Sequence, residues 1–328
     1  MVVPPILSCK RPSHTARLMA ALYEQEVSTL EKHLELEIQE FMEKVLYRNV
    51  PATLFHYTDS HGALGILNNN EFWLSHALYS NDKSELSYAI QTVSAIATEF
   101  LTGKDYPVGY KEDSLKQYYV RVFLEKTRSF LENKMIKTDV YVGCFCENPD
   151  LLSQWRAYAN NTGFCIGFEA KKLLNNTRDN YTDYEVFFAK VSYDQSLWAE
   201  WAKRLLKLVC ADILKKGSNI QTELEMLSSA YANFVTDQIL ITAPFLKHPG
   251  FQEEQEWRLA IITEPKKMKP EFRVGRVGLM PYLSSATDGT VSNVVIGPSA
   301  NHSLSNHVLQ LIRGNSEIEI SSSGVPLR

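Results

Sequence analysis

Short strand-like segments and amphipathic helix-like segments alternate along this chain at uneven spacing, and this pattern restricts the fold more than any other feature. The strand-like segments are rich in β-branched and aromatic residues, as in Asp139–Cys146. The helix-like segments between them differ widely in length, which does not suit the regular alternation of a doubly wound fold. We therefore predict an α+β fold in which helices decorate one central mixed sheet.

The individual elements follow from local periodicity, which is two in strands and near 3.6 in helices. The predicted strands are Thr53–Thr58, Glu71–Ser75, Asp139–Cys146, Gly163–Phe168, Tyr184–Tyr193, Glu254–Thr263, Val274–Leu283, Val291–Ile296 and Ile318–Ser322. The predicted helices are His61–Leu67, Glu85–Leu101, Asp113–Met135, Leu151–Ala159, Leu197–Lys216, Thr222–Phe245 and Leu304–Arg313.

The N-terminal region reads as helix from about His14 to Asn49. Its apolar residues recur at spacings of three and four, as at Leu34, Ile38 and Phe41, and glutamates occupy the opposite face. The stripe fits a helix packed on the rest of the protein, or one that docks a protein partner or a second copy. Because Pro51 ends the pattern, we predict a helical extension over residues 1–50 and a single α+β domain over 51–328.

The composition favours a globular protein with a packed core over a membrane-spanning or nucleic-acid-coating protein. A hydrophobic share of 45% in 328 residues is ample for a packed core, and no apolar run approaches the roughly 18 residues that span a bilayer. The five cysteines form no CxxC pair, and Cys144 and Cys146 lie in an apolar run, so we expect buried free thiols and a reducing cytoplasm. The net charge of -4 argues against nonspecific nucleic-acid binding, although nucleic acid as an acceptor substrate stays open.

Standard signatures for dinucleotide folds, phosphate-binding loops, serine hydrolases and zinc proteases are absent from the sequence. The first candidate site is then the strand Leu54-Phe55-His56-Tyr57-Thr58. A histidine in an apolar strand costs desolvation unless it is hydrogen-bonded, and the two hydroxyls after it are able to bind ribose. The alternative is a core histidine whose ring nitrogens are satisfied.

Two further segments carry polar residues next to predicted elements. Ser75 ends a strand, and Asn81, Asp82 and Glu85 follow it, where they also suit the capping of a helix. In the second segment Trp155 and Tyr158 lie three residues apart on one helical face. Such aromatic residues line a base or nicotinamide pocket in one interpretation and the core in the other.

The most specific candidate is the strand that carries Glu254, Glu256 and Arg258 at alternate positions. Alternate residues of a strand share a face, so the sequence predicts two carboxylates and a guanidinium side by side. Neighbouring charges of this kind shift pKa values and hold one group ready to act. The alternative is a solvent-facing edge strand with cross-strand ion pairs.

These motifs together resemble a bacterial family designated domain of unknown function 2971. The resemblance is carried by His56-Tyr57-Thr58, by Asn81 to Glu85, by Trp155 to Tyr158 and by Glu254 to Arg258. It extends to Ile296-Gly297-Pro298 and to the C-terminal residues Ser323 to Arg328. It covers nearly the whole chain after Pro51.

A more distant similarity is to ADP-ribosyltransferases, in which a strand histidine holds an NAD ribose and a late strand supplies the catalytic glutamate. The similarity implies His56, Tyr57, Thr58 and Ser75 as NAD-binding residues, with Tyr88, Trp155 or Tyr158 beside the nicotinamide; Tyr79 is a further candidate. It assigns Glu256 to the ribose 2′-hydroxyl and Glu254 to the acceptor, with Arg258 beside them. It implies NAD as substrate, no metal, and toxin or phage-defence biology by analogy.

Two other functions fit the same residues. One is a non-enzymatic module that senses a nucleotide or binds a partner through the helix at 14–49. The other is a metal-dependent nuclease whose ligands are Asp82, Glu85, Glu254 and Glu256, since magnesium prefers carboxylate oxygens. The acceptor substrate and the oligomeric state stay open.

Overall fold

The fold begins with a strand and helix whose boundaries follow from local chemistry. In the computed structural model, strand β1 spans Thr53–Thr58 and helix α1 spans Ser60–Asn69. The Asp59 side chain caps the helix by accepting a hydrogen bond from the Gly62 backbone N–H at 2.9 Å. Asn70, in the left-handed conformation with φ 55°, ends it and leads into strand β2, Glu71–His76.

The structure describes residues 32, 34–43, 50–79, 84–103, 115–135, 138–215, 221–263, 267–275, 278–313 and 318–326. Its further helices are α2 (Ser84–Leu101), α3 (Leu115–Met135), α4 (Leu152–Tyr158), α5 (Ala170–Asn180), α6 (Gln195–Lys215), α7 (Gln221–Thr242) and α8 (His302–Arg313). Its further strands are β3 (Asp139–Cys146), β4 (Phe164–Glu169), β5 (Glu185–Lys190), β6 (Glu256–Thr263), β7 (Glu271–Gly275), β8 (Gly278–Ala286), β9 (Val291–Ile296) and β10 (Glu319–Ser322).

The chain divides into two compact units. The helical unit comprises the described residues within 1–45, 84–137 and 194–243, and the sheet unit those within 46–83, 138–193 and 244–328. Two compact units in one chain do not by themselves define independently folding domains. The division into residues 1–50 and 51–328 therefore stays a prediction.

The helical unit is built from amphipathic helices. Residues 34–43 are helical, and Leu34, Ile38 and Phe41 are buried as the spacing of three and four predicts. Phe41 stacks on Trp201 of α6 with ring centroids 4.3 Å apart. This part of the apolar stripe is therefore covered within its own unit, and partner docking through the helix at 14–49 stays a prediction. None of the helices in the described residues combines the length and apolarity needed to cross a membrane.

The sheet unit contains one mixed sheet, which in the described residues has ten strands. Along one path the order is β10-β9-β4-β1-β3-β2-β8-β7, and β6 and β5 continue from the other edge of β3. The β9–β10 pair is parallel, whereas the other neighbours are antiparallel. The predicted α+β class with a mixed sheet is confirmed.

Strand β3 is the branch point of this sheet. One edge pairs with β6 along its whole length, from Asp139 opposite Thr263 to Cys146 opposite Glu256. The other edge pairs first with β2, at Tyr141 and Val142, and then with β1, at Cys146. The backbone of Gly143, Cys144 and Phe145 therefore has no ladder partner on this edge, and such groups must find other hydrogen bonds.

Three local predictions need correction. Helix α5, Ala170–Asn180, was not predicted, because only Ala170, Leu173 and Thr177 of its residues are buried and the rest are mostly polar. The single strand predicted at Val274–Leu283 is instead a hairpin of β7 and β8, which pair from Glu271 opposite Tyr282 to Gly275 opposite Gly278. The strand predicted from Glu254 starts at Glu256, because Pro249–Glu254 forms a 3₁₀ helix.

Candidate functional site

A recess in the sheet unit lies where β1 and β3 diverge. It is shallow and open to solvent, and its empty volume of about 340 Å³ includes part of that solvent. Parts of three strands and the helix α4 form its walls. The lining residues are Phe55, His56, Tyr57, Cys144, Phe145, Cys146, Gln154, Tyr158, Glu254 and Glu256.

A buried cluster of four charged side chains forms one wall. Arg258 donates to Glu256 through Nε at 2.7 Å and through Nη2 at 3.1 Å, which is a two-point ion pair. Lys247 donates to Glu256 at 2.8 Å and to Glu254 at 2.6 Å. Glu256 and Arg258 are each 4% exposed and Lys247 is 6% exposed. The positive charges of the two cations thus balance the negative charges of the two carboxylates in an environment with little water.

The pKa of Glu256 reflects this balance. Burial by itself would raise the pKa of the carboxyl, but the charges of Arg258 and Lys247 outweigh it and hold the pKa at about 2. Glu256 is therefore ionised at neutral pH. Both of its oxygens are already bonded to cationic donors, so the residue holds the cluster together.

Glu254 is placed differently from Glu256. It ends a 3₁₀ helix, and Gln255 follows in the left-handed conformation with φ 44°, which turns the chain into β6. One oxygen of Glu254 accepts from Lys247, and the other accepts only a long hydrogen bond of 3.3 Å from the Tyr158 hydroxyl. Its side chain is also more exposed than that of Glu256. Of the two carboxylates, Glu254 has the oxygen that a ligand is able to engage.

The predicted grouping of Glu254, Glu256 and Arg258 therefore occurs, but for a different reason. Lys247, and not strand alternation alone, brings Glu254 to Glu256. The alternative of a solvent-facing edge strand is wrong, because β6 lies between β3 and β5 and its first residues are buried.

His56 lines the recess at the gap in the sheet. Its Nδ1 lies 2.8 Å from the carbonyl oxygen of Cys144, one of the groups that β3 leaves without a ladder partner. A carbonyl only accepts, so Nδ1 carries the hydrogen. The pKa of His56 is lowered to about 4, chiefly by burial; the hydrogen bond to the Cys144 carbonyl opposes the shift, and the charge of Arg273 adds to it. The ring is therefore neutral at pH 7, and Nε2 keeps its lone pair as an acceptor.

Cys144 projects into the recess beside the charged cluster. The prediction of buried thiols is confirmed for Cys146, Cys165 and Cys210, but it is wrong for Cys144, which is exposed. These four cysteines are free thiols, and Cys9 lies outside the described residues. The protein atoms around the thiol raise the pKa of Cys144 well above its usual range, and the Glu256 carboxylate adds to the effect. Cys144 is therefore a protonated thiol and not an activated nucleophile.

The two aromatic residues predicted as a pair have separate roles. Trp155 is fully buried, and its Nε1 donates to Asp150 at 2.7 Å, so it belongs to the core. Tyr158 is 38% exposed and lines the recess. Burial and the nearby Glu254 carboxylate raise the pKa of the Tyr158 phenol, which therefore stays a hydrogen-bond donor at neutral pH.

Of the other predicted NAD-binding residues of the sheet unit, Tyr57 and Ser75 have hydroxyls that are hydrogen-bonded within the protein. The Tyr57 hydroxyl accepts from Leu151 N–H at 2.7 Å and donates to the Asn148 carbonyl at 3.0 Å, which fixes the loop before α4. Thr58 is the last residue of β1, and Ser75 on β2 accepts a hydrogen bond from Arg273.

Of the remaining candidates, Tyr88 lies on helix α2 in the helical unit. Asn81 and Asp82 lie outside the described residues, and Glu85 is described only as part of the α2 backbone. Across the described part of the chain, no group of three or more His, Cys, Asp and Glu side chains is placed to hold a metal ion.

Sequence reasoning missed three residues of the site. Lys247 precedes the glutamates in a segment without helical or strand periodicity, and its role depends on two carboxylates seven and nine residues away. Gln154 and Cys144 lie next to recognised residues, but nothing local shows that they line a recess. The available signal for Lys247 was charge: it is the nearest preceding cation to two closely spaced glutamates.

Comparison with known proteins gives one match. Residues 154–259 match the model of a family described as "Protein of unknown function (DUF2971)". The matched segment contains Tyr158, Lys247, Glu254, Glu256 and Arg258, and thus one side of the recess. Neither the curated proteins nor the solved structures contain a match to the chain.

Proposed function

We propose that this protein cleaves the bond between nicotinamide and ribose in NAD and passes the ADP-ribosyl group to water or to an acceptor. One observation carries the proposal. In the recess, an oxygen of Glu254 remains available for a ligand, while Lys247 and the ion pair of Glu256 with Arg258 hold that carboxylate in place. The proposal includes an ADP-ribosyltransferase-like core.

The chemistry of this bond suits a fixed carboxylate. When the C1′–N bond breaks, its electron pair leaves with nicotinamide and the ribose becomes an oxocarbenium-like cation, the charge problem that glycosidases also face. A carboxylate bonded to the ribose 2′-hydroxyl stabilises that cation without a metal. The nucleophile then forms a bond to C1′ and releases one proton, which a carboxylate or solvent accepts.

In this proposal the two glutamates have distinct roles. Glu254 is the carboxylate for the ribose, in place of its long contact with Tyr158. Glu256 is the positioning residue, because its oxygens neutralise Arg258 and Lys247. This is the reverse of the assignment that the similarity to ADP-ribosyltransferases implies. We assign a ribose hydroxyl to His56, because its ring is neutral, lines the recess and has Nε2 as an acceptor.

The test is nicotinamide release from NAD by the purified protein, with and without cell lysate. We expect Glu254→Gln to lower the rate by about 10²–10³-fold, the usual cost of removing one preorganised electrostatic group. Glu253→Gln is the matched control, because Glu253 is exposed and does not line the recess. Release that depends on lysate would identify an acceptor other than water. The proposal fails if the wild type releases no nicotinamide, or if folded Glu254→Gln keeps full turnover.

The ion pairs at both oxygens of Glu256 also favour a second function, nucleotide binding without turnover. A carboxylate with both oxygens bonded to cations suits a fixed binding wall as well as a reaction. In that case NAD would raise the melting temperature of the protein without any release of nicotinamide. The nuclease function has less support, since Lys247 and Arg258 already neutralise the carboxylates that would bind magnesium.

A further inference from the structure

Arg273 is a cation on the β7–β8 hairpin that no part of the mechanism above uses. Its Nη2 donates to the Ser75 hydroxyl at 2.7 Å, and its guanidinium carbon lies 5.6 Å from the centroid of the Trp73 ring. Its Nε is buried and has no hydrogen-bond partner among the described residues. A buried donor on a charged group is rarely left unpaired, because its lost hydration is not replaced, so such a donor points to a missing acceptor.

The register of the sheet places Arg273 on the same face as the charged cluster. Directly paired residues share a face, and so do alternate residues of one strand. Ser75 pairs with Val142, which lies two residues from Cys144, and Cys144 pairs with Arg258. Ser75 also pairs with Tyr282 of β8, and Tyr282 pairs with Glu271, which is two residues from Arg273.

Arg273 also lies close enough to the recess for its charge to act on His56. Its positive charge is one of the causes that lower the pKa of the His56 imidazole. Arg273 therefore lies near the part of the recess that His56 lines.

The carboxylates around Arg273 are bonded to other groups. Asp59 accepts from Gly62 N–H as the cap of α1, Glu71 accepts from Trp73 Nε1, and Glu271 accepts from the Tyr282 hydroxyl. Among the described residues Arg273 forms no ion pair, although the charge of Asp59 acts on it, whereas glutamates of the cluster pair directly with Lys247 and Arg258. Burial lowers the pKa of Arg273, but an arginine stays protonated at neutral pH.

We propose that Arg273 binds a phosphate group, and that the ligand of this surface carries a diphosphate next to the ribose that enters the recess. The proposal includes a turn of the guanidinium that exposes the buried Nε, after which phosphate oxygens accept from Nε and an adjacent N–H in the planar geometry that arginine prefers. Ser75 and Trp73 are positioning residues that hold the guanidinium. The identity of the ligand as NAD rests on the proposed function, whereas the anion site itself does not.

The experiment measures binding to the full-length protein by calorimetry with two probes, inorganic pyrophosphate and nicotinamide riboside, which lacks phosphate. We expect the wild type to bind pyrophosphate, and Arg273→Gln to weaken that binding by about 10- to 100-fold. The variant should bind nicotinamide riboside as the wild type does. Arg178→Gln, which alters an exposed arginine of helix α5, is the matched control and should change neither affinity.

A second measurement on the wild type covers the case in which Arg273→Gln does not fold. Hydroxyphenylglyoxal modifies arginines, and mass spectrometry locates the modified residues. Pyrophosphate should protect Arg273 and leave Arg178 reactive. The anion site is refuted if pyrophosphate does not bind, binds equally to the folded variant, or fails to protect Arg273. If pyrophosphate binds at Arg273 but NAD is not cleaved, the anion site stands and the proposed function alone fails.

Discussion

Substitution of Glu256 by glutamine is the sharpest test of the buried cluster. The change keeps the shape of the side chain but removes the charge that faces Arg258 and Lys247. Both cations are almost completely buried, so they lose their compensation in a low-dielectric environment. Glu254 remains as a partner of Lys247 alone.

The expected loss of stability follows from two independent arguments. Removing one partner from a buried ion pair typically costs about 3–5 kcal/mol. The pKa of Glu256 falls from its usual 4.5 to about 2 on folding, and about 1.4 kcal/mol per pH unit gives about 3 kcal/mol. Because the folded pKa is lowered, this stabilisation is present above pH 4.5 and is lost as the pH falls through about 2.

The measurement is urea unfolding at pH 7, followed by circular dichroism and tryptophan fluorescence, with Glu253→Gln as the control. We expect Glu256→Gln to lower the free energy of unfolding by about 3 kcal/mol, whereas an exposed control should stay within about 0.5 kcal/mol. A loss below about 1 kcal/mol for Glu256→Gln would show that the cluster is solvated and would refute the argument. The same data decide whether lost activity in this variant reflects chemistry or unfolding.

Four further predictions concern the sheet unit. The pKa of His56 is lowered to about 4, so its NMR titration should have a midpoint near pH 4. Between pH 6.5 and 4 only the unfolded chain gains this proton, so the free energy of unfolding should fall by up to roughly 3 kcal/mol over that range. His56→Asn should remove this pH-dependent loss. Gly143→Ala places a Cβ 2.3 Å from the Phe72 ring and should lower the melting temperature, at a cost of about 1–3 kcal/mol. Gly65→Ala, within helix α1 and at ordinary contact distance, should instead stabilise by up to about 1 kcal/mol in urea unfolding. Tyr57→Phe leaves the Leu151 N–H without its acceptor and should cost about 1–3 kcal/mol in the same assay.

Sequence reasoning was accurate where the signal is local. Strands β1, β3 and β9 have the predicted bounds, because a buried strand is a short run of apolar and β-branched residues with sharp ends. The long helices α6 and α7 were found through their spacing. Helix α5 was missed, because only three of its residues are buried and its other face resembles a loop.

The candidate site was only partly predictable, since its members come from separate elements. His56 and Glu256 could be named from their residue types within apolar strands. The roles of Lys247, Cys144 and Arg273 could not, because each depends on partners that the chain brings together only on folding.

The sequence by itself determined the α+β class, most of the elements and the residues with reactive side chains. These are properties of short windows, in which periodicity and side-chain chemistry act over a few residues. The tertiary structure decided which carboxylate has both oxygens in ion pairs and which has an oxygen available to a ligand. It also decided that His56 is neutral with Nε2 as an acceptor, and that β3 changes partner beside the recess. The physical reason is that burial, ion pairing and strand register depend on neighbours distant in the chain, and these set the charge and the accessibility of every group in the site.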